Sequence, residues 1–366
     1  MEILRITDIE ETALALKRLY AQHGYRKFKM SRFEELEFYI DNRSFLEDDR
    51  ITAFSDPSGK LLALRPDVTL SIVKNAREKS EKVYYGEYVY RTPRGSGAID
   101  EILQVGLEHI GELDAYGVGE VIWLALESLH TLSEDYILDV SHMGLLVSLL
   151  GGLGLDEKVQ AEVMRCVGEK NAHDAVRILT SHGVEESRAR EFAELASMSG
   201  SFKEMLPRLR AADVPQVSEI ADELEQIYRT IEQTGNGSKV RIDLSVVNDM
   251  IYYNGVVFSG YVNGVPFRVL SGGRYDRLLE RLGKKSGAIG FAVYLGKLER
   301  YVPQRVGESG AALVYEDGAS PERIMSEMQR LSADGTPVVV VREGGELPQE
   351  AKRVYRMGKD GALTNA

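Results

Sequence analysis

The chain has 366 residues, 43% of them hydrophobic and 28% charged. That is enough for one large domain plus an appendage, and it excludes disordered, fibrous and disulfide-stapled classes. A formal net charge of −12 weighs against a nucleic-acid partner, because phosphate contacts need clustered lysine and arginine.

The single cysteine, Cys166, cannot form an internal disulfide, and the six histidines show no paired ligand spacing. A reducing compartment and no metal site are expected. The opening "MEILRITDIEETALALKRLY" carries acids where a secretory signal needs a basic head, and "MGLLVSLLGGLGL" from Met143 is too short and glycine-rich to span a bilayer. The expectation is a cytoplasmic protein without membrane contact.

In chain order, a helix is predicted from Asp8 to about His23. "RITAFSDPSGKLLALRPD" joins two apolar runs through Asp56-Pro57-Ser58-Gly59, a hairpin signature. Asp67 stands at an N-cap position before Val68, Ile72 and Val73, which recur at helical spacing. "KVYYGEYVYR" and "EILQVGLEHIG" read as strands flanking the loop "TPRGSGAID". From about 145 to 235 the pattern is helical with glycine breaks and reads as an all-helical insertion. Strands return with "KVRIDLSVV", "MIYYNGVVFSGYV" and "VPFRVLSG", the last two joined by an Asn263-Gly264 hairpin. A helix from about Arg274 to Leu282 and the strand "GAIGFAVYL" follow. The tail reads strand, helix, strand, with Ser320 and Pro321 at N-cap and N1, which makes a small parallel unit. The domains expected are therefore 1–305, carrying the insertion, and 306–366.

Few motifs carry chemistry by themselves. "GGLGLD" lacks the strand and spacing of a dinucleotide loop, and there is neither a P-loop nor a nucleophile elbow. No cofactor is expected. "LALRPDVT" sets Arg65, Asp67 and Thr69 at a strand-to-helix junction, which equally suits a helix cap with surface charge. "ILQVGLEHIG" puts Gln104, Gly106 and Glu108 on one face of a strand, where burial without partners would be unfavourable, so a polar pocket is favoured over a core. The adjacent Tyr252 and Tyr253 would point to opposite faces of their strand. "GGRYDRLL" permits close backbone approach or serves an ordinary tight turn.

Taken in order, "LLALRPDVT", "VYR", "QVGLEHIG", "YYNGVVF", "SGGRYDRLL" and "GAIGFAV" resemble the catalytic domain of histidyl-tRNA synthetase, a class II aminoacyl-tRNA synthetase, over roughly residues 5–303. The resemblance implies an α+β fold: an antiparallel sheet with flanking helices, a helical insertion and a small C-terminal α/β unit. It also implies a pocket for histidine. By motif position the pocket residues are Asp67, Thr69, Arg91, Gln104, Glu108, Tyr252 and Tyr253: Asp67 and Thr69, with Gln104, would meet the α-ammonium, while Glu108 and a tyrosine hydroxyl would meet the imidazole. Arg91 would remain as the cation for the α-carboxylate.

Three positions depart from the synthetase pattern. Pro93 stands where class II enzymes hold a glutamate two residues after the motif arginine, Asn248 replaces an arginine that stabilises developing charge, and Lys297 replaces a phosphate-binding arginine. Each lost positioned charge removes about two to three decades of rate. Adenylation is therefore not expected and no catalytic residue is assigned.

A synthetase-like body with "RPDVT" and no adenylation apparatus is similar to the regulatory subunits of ATP phosphoribosyltransferase. That similarity implies a non-catalytic chain that pairs with a short catalytic subunit for the first step of histidine biosynthesis. It further implies feedback control by L-histidine and dimers of this chain within a hetero-oligomer. The alternatives are a divergent class II amino-acid-activating ligase and a free-standing histidine-sensing pseudo-synthetase.

Overall fold

A computed structural model describes residues 4, 8–46, 51–76, 80–92, 98–212, 216–247, 252–302, 310–347 and 351–365. It separates into two compact units, Met1–Val302 and Pro303–Ala366.

In the larger unit, α1 (Ile9–Gln22) starts where Asp8 accepts the Glu11 N–H at 2.8 Å and ends at His23. It buries Ala13, Leu16 and Tyr20. After β1 (Arg26–Lys27) come β2 (Phe33–Glu35), α2 (Leu36–Asp41), β3 (Ala53–Ser55) and β4 (Leu61–Leu64). The hairpin joining β3 to β4 lies where the sequence places it. Asp56 Oδ1 accepts from Ser58 N at 2.8 Å and Lys60 N at 2.9 Å, and Gly59 takes φ of +84°.

Next come α3 (Val68–Asn75), β5 (Glu81–Arg91), β6 (Asp100–Gly111), α4 (Ala115–Leu132) and β7 (Tyr136–His142). The sequence reading anticipates neither α4 nor β7. Its signal was present in Asp114, which caps α4 at Gly117 N, ahead of an apolar run.

Residues 143–233 fold as α5 (Met143–Gly151), α6 (Glu157–Gly168), α7 (Ala172–Ser181), α8 (Glu186–Ala196), β8 (Ser199–Ser201), α9 (Phe202–Arg210) and α10 (Val217–Gln233). The region is thus not all-helical. Gly200 interrupts the helices and β8 pairs antiparallel with β9 (Val240–Asp243) as the end strand of the main sheet. Nor is it one packing unit, since α6 to α8 share a core of their own around Val163 and Leu179, whereas Leu224 and Ile227 of α10 join the main core.

The unit closes with β10 (Val256–Val262), β11 (Leu270–Arg274), α11 (Asp276–Arg281), β12 (Gly287–Val293) and α12 (Leu295–Leu298). The turn at Asn263-Gly264 forms, with Val265 N bonded to Val262 O at 3.1 Å. Pairing with β11 begins at Leu270, opposite Gly260.

The nine strands are ordered β1-β5-β6-β12-β11-β10-β7-β9-β8. Central pairings are antiparallel as expected, but β1 with β5 and β7 with β9 run parallel, so the sheet is mixed. Leu103, Val105 and Leu107 of β6 face the main core with α1, α4 and α10. On the other face one apolar cluster gathers around α3 and α11 and another around α6 to α8, and Tyr253 packs against both.

In the smaller unit, β13 (Ala311–Tyr315), α13 (Pro321–Leu331) and β14 (Val338–Arg342) make a parallel β-α-β unit. Two further strands, β15 (Val354–Met357) and β16 (Leu363–Asn365), extend the sheet beyond what the sequence signals suggested. Ser320 stands at the N-cap of α13, yet its hydroxyl bonds Glu322 rather than a backbone N–H.

Candidate functional site

A cavity of about 460 Å³ opens on the sheet face between the two smaller clusters. Its wall from β4 to α3 is held by Arg65, which is fully buried rather than a surface charge. The guanidinium donates to Ser31 O, to Tyr88 O at 2.8 Å and to Glu87 at 3.0 Å, tying "RPD" to β5. That anchorage fixes Asp67, whose Oδ1 caps α3 by accepting Leu70 N–H at 2.8 Å while the residue lines the cavity. At the second position of the helix, Thr69 enters the same space.

The floor comes from β6, where Gln104 and Glu108 are 4% and 2% exposed. Glu108 needs a close neighbour without a Cβ. At Gly290, opposite Glu108 on β12, an added Cβ would lie 1.7 Å from Glu108 Oε2. At Gly106 it would meet Phe291 O at 2.2 Å and the Tyr85 hydroxyl at 2.6 Å.

Glu108 Oε1 accepts from Thr69 at 2.7 Å and Oε2 from Tyr275 at 2.5 Å. Burial raises its pKa from 4.5 to about 8, assisted by the charge of Asp67 and opposed by the two hydroxyl donors. At neutral pH the group is mainly a carboxylic acid that both gives and accepts a hydrogen bond.

Tyr252 and Tyr253 do not diverge as a strand would make them. They precede β10 in a turn, so alternation does not apply, and both line the cavity with ring centroids 4.6 Å apart. Tyr275, at the N-cap of α11, completes the aromatic wall 5.6 Å from Tyr252. Burial raises the pKa of both Tyr252 and Tyr275 well above the ordinary value, so their hydroxyls stay protonated.

Two cations border the cavity. Arg91 closes β5, with Nε 3.4 Å from Pro66 O, and Arg268, which the sequence reading missed, approaches from the connection before β11. Arg91 is therefore not the sole cation on the described lining of the cavity.

All seven expected pocket residues, Asp67, Thr69, Arg91, Gln104, Glu108, Tyr252 and Tyr253, line this one cavity. Lys297 does not; its ammonium sits 5.1 Å over the Tyr294 ring on α12. Pro93 and Asn248 lie outside the described residues. Besides Arg268, sequence reasoning missed Tyr85, Tyr275 and the Ser271–Tyr294 hydroxyl pair at 2.6 Å. Tyr275 was within reach, since "GGRYD" carries it. Among the described residues no three His, Cys, Asp or Glu side chains are grouped to hold a metal ion, and no helix is long and apolar enough to cross a membrane.

The cavity has one carboxylate, Asp67, beside the Thr69 hydroxyl, aromatic rings around the neutral acid of Glu108, and guanidinium groups at its border. It would suit a small zwitterion bearing a planar ring with one donor and one acceptor.

Sheet order and site together define a class II synthetase-like body. The family model described as histidyl-tRNA synthetase matches residues 4–298. An ATP phosphoribosyltransferase regulatory subunit from Thermoanaerobacter sp. is 30% identical over 286 residues, covering 76% of this chain and 74% of that protein. The chain belongs to the histidyl-tRNA synthetase family and, within it, to the ATP phosphoribosyltransferase regulatory subunits. A crystal structure described as ATP phosphoribosyltransferase regulatory subunit/histidyl-tRNA synthetase, from Bacillus halodurans, superposes with a TM-score of 0.78 at 24% identity, covering 97% of this chain and 96% of that one. The ATP phosphoribosyl transferase (HisG:HisZ) complex from Thermotoga maritima contributes a chain matched at TM-score 0.62 and 20% identity, over 78% of this chain and 97% of that one. At these identities the two structures establish the fold.

Proposed function

We propose that this chain, acting in the cytoplasm, pairs with a short ATP phosphoribosyltransferase catalytic subunit in the first step of histidine biosynthesis and reports L-histidine through the cavity described above. The observation that carries the reading is Glu108. A buried carboxyl near neutrality in its titration, framed by Tyr252, Tyr253 and Tyr275, offers an imidazole one acceptor and one donor. Asp67 and Thr69 receive the α-ammonium with Gln104, and Arg91 with Arg268 receives the α-carboxylate. Histidine binding would then shift the complex toward a less active arrangement by its differential affinity for the two.

Dimerisation of this chain inside the hetero-oligomer belongs to the same proposal. It is supported by the exposed Phe33–Phe54 ring pair, centroids 5.7 Å apart, and by Leu61 on the same three-stranded sheet, apolar surface a second copy would cover. The pocket is tested by calorimetric titration with L-histidine. Saturable binding is expected, weakened about tenfold in Tyr253→Phe; no binding by the intact chain would overturn the pocket assignment.

A further inference from the structure

Gly106, Ala292, Ser271, Ser259, Asp139 and Arg241 stand in direct register across β6, β12, β11, β10, β7 and β9 and share one face of the sheet. Ala292 and Ser271 line the cavity already described. Ser259, Asp139 and Arg241 line a second one, about 320 Å³ in volume, which the turn after α6 borders with Lys170. Arg268 borders both cavities.

The second cavity has more donors than acceptors. Asp139 is 2% exposed and takes Arg241 on both oxygens, through Nε and through Nη2 at 3.0 Å. Asp243 is 1% exposed; its Oδ1 takes the N–H and the hydroxyl of Ser245 and its Oδ2 the Lys170 ammonium at 2.8 Å. All four carboxylate oxygens are engaged. Against them, a guanidinium has five N–H groups and an ammonium three, so Arg241 and Lys170 retain donors after these contacts. Three cations and two carboxylates are among the described lining residues, in a chain whose net charge is −12. Ser259 is 1% exposed, lines the cavity and has no hydrogen-bond partner for its hydroxyl among the described residues. A cavity-lining hydroxyl in that state is available to an occupant of the space.

We infer that this second cavity binds a small oxyanion, a phosphate or a carboxylate, whose oxygens accept from Ser259, Lys170, Arg241 and Arg268. The site is separate from the histidine pocket and does not rest on it, although Arg268 lets the occupancy of one bias the other. The insertion contributes Lys170, so anion binding would also hold α6 against the sheet.

The test is calorimetric titration of the full chain with inorganic phosphate, ribose 5-phosphate and succinate, in parallel with L-histidine. Ser259→Ala removes only a hydroxyl without a partner and should fold as the parent does; Ser259→Leu fills the space. Saturable binding of at least one of the three anions is expected. Ser259→Ala should weaken it about threefold to tenfold and Ser259→Leu abolish it, with L-histidine affinity unchanged in both. Preference among the probes separates phosphate from carboxylate. Should Ser259→Leu fail to fold, Lys170→Met, which removes a largely exposed side chain, replaces it with an expected loss of about tenfold. Absence of saturable binding at millimolar concentration for all three anions, or binding undiminished by these substitutions, would overturn the inference and leave the histidine reading intact.

Discussion

Replacing Glu108 by glutamine tests the electrostatics of the pocket in one variant. Burial holds the folded-state pKa at about 8 against an ordinary 4.5, so the folded chain keeps a proton that the unfolded chain releases. Below pH 4.5 both states are protonated and the group does not oppose folding. As pH rises from 4.5 to about 8 its unfavourable contribution grows by up to about 1.4 kcal/mol per unit and reaches on the order of 5 kcal/mol, after which it is constant. Glutamine has no proton to lose. It keeps one acceptor and one donor toward Thr69 and Tyr275, as the neutral acid does, but buries a second N–H without a partner, a pH-independent loss of about 1 kcal/mol. Stability relative to Glu108→Gln should therefore favour the parent at the acidic end of the window and decline steadily toward the basic end. Urea unfolding followed by Trp123, the only tryptophan, reads this within the larger unit. Two stability curves that stay parallel across the window would refute the reasoning, because they would mean that Glu108 does not titrate in a desolvated pocket.

Other substitutions separate support from contact. Asp67→Asn keeps an N-cap acceptor for Leu70, so unfolding should be nearly unchanged while L-histidine affinity falls about tenfold by calorimetry. Gly290→Ala drives a Cβ into Glu108 and into Leu107 O at 2.5 Å; about 2 kcal/mol of stability and histidine binding should be lost together. Arg65→Met leaves Glu87 and two carbonyls without their donor, with an expected loss of about 3 kcal/mol in urea unfolding. A smaller loss than that of an exposed arginine would mean that Arg65 does not anchor the junction.

Local signals were the legible ones. Asp8, Asp67 and the Asp56–Gly59 turn act through hydrogen bonds within a few residues, so their positions could be read from spacing. Alternation along β6 correctly put Gln104 and Glu108 on one face. Alternation misled at Tyr252 and Tyr253, because the chain there turns before entering β10. Arg65 and Arg268 were opaque for another reason. Whether an arginine is a buried clamp, a pocket cation or a solvated charge depends on strands far away in sequence, which no local pattern encodes. The same holds for Gly290, whose purpose is visible only opposite Glu108. The break at Gly200 was legible, but its use as an edge strand depends on β9.

The central claim is that this chain governs a partner's catalysis and reports histidine. It is tested most directly by measuring phosphoribosyl-ATP formation by the short catalytic subunit from the same genome, alone, with this chain, and with this chain plus L-histidine. The account predicts that activity depends on adding this chain and falls with histidine, and that Glu108→Gln weakens the inhibition while the subunits still assemble. A catalytic subunit equally active without this chain, or an assembled complex indifferent to histidine, would contradict it.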